Sequence, residues 1–201
     1  MLSLSTRILM NTEAVNRGYH KLEGATDAFK FDFRGKTVLD IGSSTGGFTE
    51  LALNRGANKV IAVEKGTNQM KSPLRYDPRV ELHEKTDIFD FKLETGSQNT
   101  FPDIIVADVS FISLTKILSC AKHNLADAHT EFLVMLKPQF EARPFQLRKG
   151  VVKNETIRRE IIKQFEYWLK QNGYIIIGKH DNELHGKTGN IERFYYLKLA
   201  K

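Results

Sequence analysis

Thiols are almost missing from this chain: Cys120 is its one cysteine, and it sits in an apolar run with no second cysteine to pair with. That excludes a disulfide framework and a zinc site built from thiolates, and it points to a reducing cytoplasm. Long hydrophobic runs are missing too. No stretch approaches the roughly 18 residues of a membrane span, and the N-terminus lacks a basic-then-apolar leader, so neither a spanning nor a secreted protein is expected. Internal repeats and low-complexity segments are absent as well. What remains is 201 residues, 41% apolar and 27% charged, an ordinary balance for one well-packed domain.

The formal charge is +6, and its distribution says more than its total. From Arg143 to Gly178 there are eight basic residues against three acidic ones, while Thr37 to Ala142 is slightly acidic. A local basic face suits a polyanion such as RNA, through phosphate contacts and counterion release. A solvated helix face plus a loop accounts for the charge equally well.

The most informative stretch is Val38-Leu39-Asp40-Ile41-Gly42-Ser43-Ser44-Thr45-Gly46-Gly47-Phe48-Thr49-Glu50. It reads as a buried parallel strand ending near an acid, a turn of small residues, and an amphipathic helix through Phe48, Leu51, Ala52 and Leu53. Gly42, Gly46 and Gly47 let the backbone bend sharply and a ligand approach it. Lys59 to Glu64 is a second buried strand that again ends in a carboxylate, and Glu64 follows Gly42 by about the 20 residues at which α/β nucleotide sites place a ribose-binding acid.

Elsewhere the chain alternates. Met1 to Asn16 allows a short helix and nothing resembling a second domain. Leu22, Ala25 and Phe29 have helical spacing, which puts Lys21 near the start of a helix, where on its own it reads as a surface lysine. Val80 to His83 is a strand; Thr86 and Asp87 after it could reach an adenine edge or merely close a turn. Lys92 to Phe101 is a loop. Asp103 to Asp108 is a strand carrying Asp108 at its C-terminal edge, where open α/β sheets hold their chemistry. Glu131 to Leu136 repeats the arrangement with Lys137 at its end, a lysine that must emerge at the sheet's edge or be desolvated.

Pro138 to Val152 mixes Phe140, Phe145 and basic residues, and reads as an RNA-contacting loop, a lid or a packed Ω-loop. Glu155 to Asn172 is the clearest helix, with Ile157, Ile161, Ile162, Phe165, Trp168 and Leu169 in one core-facing stripe and Gly173 as its stop. Tyr174 to Gly178 is a strand, His180 to Asn190 a turn-rich loop, and Ile191 to Leu199 a last strand. The expected architecture is α/β: a mainly parallel seven-stranded sheet with an antiparallel last strand and helices on both faces.

The spacing of the glycine turn narrows its ligand. A dinucleotide fingerprint is Gly-x-Gly-x-x-Gly, and a P-loop ends in Gly-Lys-Ser/Thr; this turn has neither form and no lysine. An acid ending the first strand suits a ligand with a positive amino group, as in S-adenosyl-L-methionine, with Glu64 holding its ribose.

Asp40 to Thr49 resembles motif I of class I methyltransferases, in the form carried by hemolysin A-type (TlyA) relatives of the FtsJ ribose methyltransferases. The likeness continues in Arg17-Gly18-Tyr19-His20-Lys21-Leu22, Asp108-Val109-Ser110-Phe111-Ile112-Ser113-Leu114, Lys137-Pro138-Gln139-Phe140-Glu141, Lys149-Gly150-Val151-Val152 and Gly189-Asn190-Ile191-Glu192. It implies a Rossmann-like methyltransferase domain over residues 17–201 behind an extension of residues 1–16, without the N-terminal S4-type RNA-binding domain common among its relatives. Glu64 also stands where an aspartate is more usual.

The resemblance further implies a catalytic tetrad of Lys21, Asp108, Lys137 and Glu192. It implies an S-adenosyl-L-methionine seat made by Asp40, Gly42, Ser43, Ser44, Thr45, Gly46, Gly47, Phe48, Glu64, Asp87 and Asp108, and no metal. The basic residues Arg17, Arg143, Arg148, Lys149, Arg158 and Arg159 are the candidate RNA contacts. The reaction implied is transfer of the sulfonium methyl to a ribose 2′-hydroxyl of RNA, with ribosomal subunits and a cytidine as the suggested target. Lys137 is the expected base, able to act only when neutral; orienting the ribose and neutralising the developing alkoxide is the alternative for the lysines. The competing classes are a membrane-active hemolysin and a methyltransferase fold kept as an RNA-binding module without catalysis.

Overall fold

The computed structural model describes residues 17–93, 101–182 and 189–200. A seven-stranded sheet forms its centre, built from β1 (Thr37–Ile41), β2 (Lys59–Val63), β3 (Val80–His83), β4 (Ile104–Ala107), β5 (Glu131–Leu136), β6 (Tyr174–Asp181) and β7 (Arg193–Leu199). Their spatial order is β3-β2-β1-β4-β5-β7-β6, and only β7 runs against its neighbours, lying antiparallel between β5 and β6. This is the expected sheet.

The apolar runs are continuous because both faces of the sheet are covered. On one face Leu39, Ile41, Ile105 and Val134 meet α3 (Leu114–Asn124) and α5 (Glu155–Gln171) through Ile117, Leu118, Ile162, Phe165 and Leu169; the short helix α4 (Pro138–Glu141) follows β5. On the other, Val38, Val60, Val106 and Met135 meet α1 (Arg17–Phe29) and α2 (Gly47–Asn54) through Leu22, Ala25, Phe48 and Leu51. Alternation along β1 therefore decides which face each side chain joins. α5 begins where the Asn154 side chain accepts the N–H groups of Thr156 and Ile157, at 2.8 and 3.2 Å. It ends before Gly173, whose φ of +74° follows the common helix stop. Trp168 packs against the core from this helix, partly buried.

The structure differs from expectation at three places: Pro138–Glu141, expected as loop, forms the helix α4, and the last two strands have other bounds. The strand starting at Tyr174 runs on to Asp181, so His180 and Asp181 belong to it, and the last strand starts at Arg193, leaving Ile191 and Glu192 outside. The expected helix within Met1 to Asn16, residues 94–100 of the Lys92 to Phe101 loop, and residues 183–188 of the loop before Asn190 lie outside the described residues.

The chain passes from β3, at one edge, back to the centre beside β1 to form β4. β1 and β4 thus diverge at the point where strand order reverses, and a crevice opens beyond their C-terminal ends.

Candidate active site

Strand register brings the functional groups together. Ile41 pairs with Ala107, so the turn that starts at Gly42 lies beside Asp108. Leu136 pairs with Arg193, so Lys137 and Glu192 leave the sheet at neighbouring points. A cleft of about 1490 Å³ opens there, and Lys21, Asp108, Lys137 and Glu192 all line it, together with Gly42 to Thr45, Gly47, Phe48, Glu64, Asp87 and Arg17.

The four tetrad residues form two ion pairs. Lys137 Nζ lies 2.5 Å from Asp108 Oδ1 and donates to Ser110 Oγ at 3.0 Å. Lys21 Nζ lies 2.6 Å from Glu192 Oε2. Lys21 is buried rather than a surface lysine, on the face of α1 that turns inward with Leu22 and Ala25. Each ammonium has left bulk water for a single carboxylate, which makes removal of one partner costlier than the pair is worth.

The glycine turn is shaped by its neighbours. Gly42 has φ +80°, and a Cβ there would lie 3.1 Å from the Asp108 carbonyl oxygen; Gly46 has φ +97°, and a Cβ would lie 2.4 Å from Leu74 Cδ2. Both positions demand glycine on backbone and on space. Ser43 Oγ lines the cleft, is buried, and has no hydrogen-bond partner. Glu64 accepts the N–H of Ser44 at 2.9 Å and of Gly66 at 2.6 Å, so its carboxylate is fixed beside the turn. Asp87 accepts from Lys65 Nζ at 2.9 Å, and that ammonium holds its carboxyl below the usual range.

Three expected site residues sit elsewhere: Gly46 faces Leu74 and Met70 rather than the cleft, and Asp40 and Arg158 are buried. Asp40 is 0% exposed and does not line the cleft; it shares the Val38 face of β1 and points under α2, where Thr49 Oγ1 donates to its Oδ2 at 2.6 Å. Burial pushes its carboxyl up to about 7. It backs the turn from beneath α2, with Oδ1 buried and without a hydrogen-bond partner. Arg158 is 7% exposed, paired with Asp181 at 2.7 Å, and is therefore withdrawn from the basic surface. Arg17, Arg143, Arg148, Lys149 and Arg159 are exposed. Lys149 and Gly150, with φ of +51° and +77°, form the tip of a two-residue hairpin closed by Arg148 and Val151.

Sequence reasoning gave no role to several groups inside its own motifs. Glu141, the last residue of the short helix α4, accepts Leu114 N–H at 2.7 Å and Ser113 Oγ–H at 2.6 Å, tying that helix to the start of α3. Gln139 Oε1 is buried without a partner beside the cleft. Phe111 is 91% exposed with its ring centroid 5.2 Å from that of Phe140, while Lys137 Nζ lies 6.0 Å from the Phe140 ring. An exposed aromatic in a loop after a strand was the available signal. Among the described residues no His, Cys, Asp and Glu cluster could hold a metal ion, and no helix is long and apolar enough to cross a membrane.

This arrangement is similar to that of known proteins. The chain is 37% identical over 185 residues to the 16S/23S rRNA (cytidine-2′-O)-methyltransferase TlyA of Mycobacterium tuberculosis, covering 92% of this chain and 68% of that one. It is 36% identical over 190 residues to the 23S rRNA (cytidine-2′-O)-methyltransferase TlyA of Campylobacter jejuni, covering 94% and 72%. A solved Streptococcus thermophilus structure, provisionally named a hemolysin, superposes with a TM-score of 0.87 at 33% identity, covering 96% of this chain and 69% of that one. The model of the FtsJ-like methyltransferase family matches residues 14–199, and the chain belongs to that family.

Proposed function

We propose that this chain is an S-adenosyl-L-methionine-dependent methyltransferase acting on a ribose 2′-hydroxyl of ribosomal RNA, working in the cytoplasm where ribosomal subunits are found. The observation that carries the reading is the convergence of two lysine–carboxylate pairs, Lys137–Asp108 and Lys21–Glu192, on the cleft that holds the glycine turn. The relatives' printed substrates support cytidine in 16S or 23S rRNA as the acceptor.

The donor's seat fits the residues present. Gly42 and Gly47 line the cleft with bare backbone, Ser43 offers a buried hydroxyl in need of a partner, and the fixed Glu64 carboxylate can accept from a ribose diol. Asp87 is positioned at the cleft wall for the adenine side. Bound S-adenosyl-L-methionine supplies an electrophilic methyl group on a sulfonium.

The chain's own residues handle the proton. Lys137 is ion-paired at rest, so it must first give up a proton to serve as base; its free Nζ then accepts the 2′-hydroxyl proton, and the ammonium so restored is met by Asp108 Oδ1 and Ser110 Oγ. Lys21, held by Glu192, adds positive charge where the alkoxide develops. The Phe111–Phe140 pair offers an apolar face for the nucleotide's base, and Arg148 and Lys149 offer phosphate contacts at the hairpin tip.

The test is methyl transfer from tritiated S-adenosyl-L-methionine to purified ribosomal subunits, with the modified nucleotide mapped. Label at a ribose 2′-oxygen supports the proposal. Absence of transfer to any subunit, with the donor bound, would return the chain to the reading of a binding module without catalysis.

A further inference from the structure

Glu192 lies outside the hydrogen-bonded ladder of the sheet. β7 begins one residue later, and residues 189–192 have no regular structure, so the carboxylate that meets Lys21 is held by whatever grips its flanks. Among the described residues the Asn190 side chain accepts the Val152 N–H at 3.0 Å and donates to the Gly150 carbonyl at 3.2 Å, and three grips lie closer to Glu192. The Ile191 carbonyl accepts from Arg158 Nε at 3.3 Å, and the Glu192 carbonyl accepts the Asn182 N–H at 2.9 Å. On the far side the Arg193 guanidinium binds Asp181 twice, at 2.6 Å through Nε and 2.9 Å through Nη2.

Arg158 joins two of these grips. Its Nη2 donates to Asp181 Oδ1 at 2.7 Å while its Nε holds the Ile191 carbonyl, so one guanidinium fixes both the residue before Glu192 and the carboxylate that anchors the residue after it. Only a planar fork can do both; a lysine offers one point charge. Its position on α5 makes this informative. Arg158 shares the inward stripe with Ile161, Ile162, Phe165 and Leu169, where an apolar side chain would avoid the desolvation that a buried cation incurs. A phosphate contact would not need burial at all.

We propose that Arg158 is a positioning residue for Glu192: by clamping Ile191 and Asp181 it holds the carboxylate against Lys21 and so completes the tetrad. The inference rests on the methyltransferase reading above for its kinetic consequences, but its structural core is independent of that reading.

Two measurements on Arg158→Lys test it. In the first, reductive methylation of lysines is followed by mass spectrometry of the peptide containing Lys21, which requires no activity. Lys21 is expected to be protected in the native protein and to become several-fold more reactive in the variant, while exposed Lys163 keeps its rate. In the second, kcat for methyl transfer is expected to fall about 10- to 100-fold with the KM for RNA unchanged, as for a misplaced group rather than a defect in RNA binding. Adding Glu192→Gln should bring no further loss beyond that of Glu192→Gln alone. An unchanged Lys21 reactivity, a raised KM at constant kcat, or losses that multiply in the double variant would each overturn the proposal. Should Arg158→Lys fail to fold, Asp181→Asn leaves the guanidinium in place, removes its carboxylate and is read in the same way. A native protein that transfers no methyl group counts against the proposed function alone, and the labelling result still decides the role of Arg158.

Discussion

Lys137 and Glu192 leave the sheet side by side, each one step beyond the paired residues Leu136 and Arg193 at the open end of an antiparallel strand pair. A lysine and a carboxylate far apart in sequence thereby enter one cleft without any long loop to carry them. The same register means that sliding β7 by one residue would send Phe194 and Leu197, which pack on opposite faces of the sheet, each into the wrong core layer and would carry Glu192 out of line with Lys137.

Removal of the Lys137 amine should abolish chemistry while sparing the donor's seat. Lys137→Ala is expected to lower methyl transfer about 100- to 10,000-fold, the range for a missing general base, with S-adenosyl-L-methionine affinity by calorimetry unchanged. Full turnover by this variant would remove Lys137 from the mechanism.

Gly42→Ala places a methyl group 3.1 Å from the Asp108 carbonyl in a backbone at φ +80°. The left-handed conformation alone costs about 1–2 kcal/mol, which lowers the melting temperature by several degrees, and the displaced Asp108 loosens Lys137. Both donor affinity and kcat should fall. A variant with native melting and native affinity would show that the turn has slack the geometry denies.

Arg148→Ala combined with Lys149→Ala should weaken RNA binding and flatten its salt dependence, by roughly 0.7–0.9 in the log–log slope for every phosphate no longer neutralised. Arg158→Lys should leave that slope where it is. Equal slopes for the native protein and the hairpin variant would make the hairpin an ordinary solvated surface.

Asp40 sets a pH dependence of stability. Its carboxyl is raised to about 7, chiefly by burial, so the folded chain keeps a proton that the unfolded chain releases above its ordinary range near 3.8. The native state therefore binds more protons between those values, and stability falls as pH rises through that window, by at most about 4 kcal/mol, levelling off above it. Asp40→Asn removes this term. Urea midpoints should show the variant gaining on the native protein from about pH 5 to about pH 8; a constant difference across that range would mean that Asp40 is ionised throughout.

Much of this was legible in the sequence. Strand and helix alternation is written in apolar runs with small-residue turns, and the ends of β1, β4 and β5 carry Gly42, Asp108 and Lys137 just past the last apolar residue. The misread residues carried a signal of their own. Asp40 is two positions from Val38 and so faces α2 with it, away from the crevice, while Arg158 is three and four residues from Ile161 and Ile162 and so faces the core with them. Charge drew both toward a ligand or a surface, and periodicity would have turned them inward. Glu141 and Ser110 were beyond sequence reasoning of this kind, because their partners come from loops whose approach is set only by the finished sheet.

The Lys21–Glu192 pair joins the first described helix to the residue that precedes the last strand, and β7 must enter between β5 and a β6 that has no other neighbour. Such long-range closure is slow relative to local pairing. The Lys21–Glu192 half of the site therefore depends on the pairing of the last strand, while the glycine turn, Asp108 and Lys137 depend only on β1 to β5. The second ion pair can close only when β7, to Leu199, is free to pair with both β5 and β6.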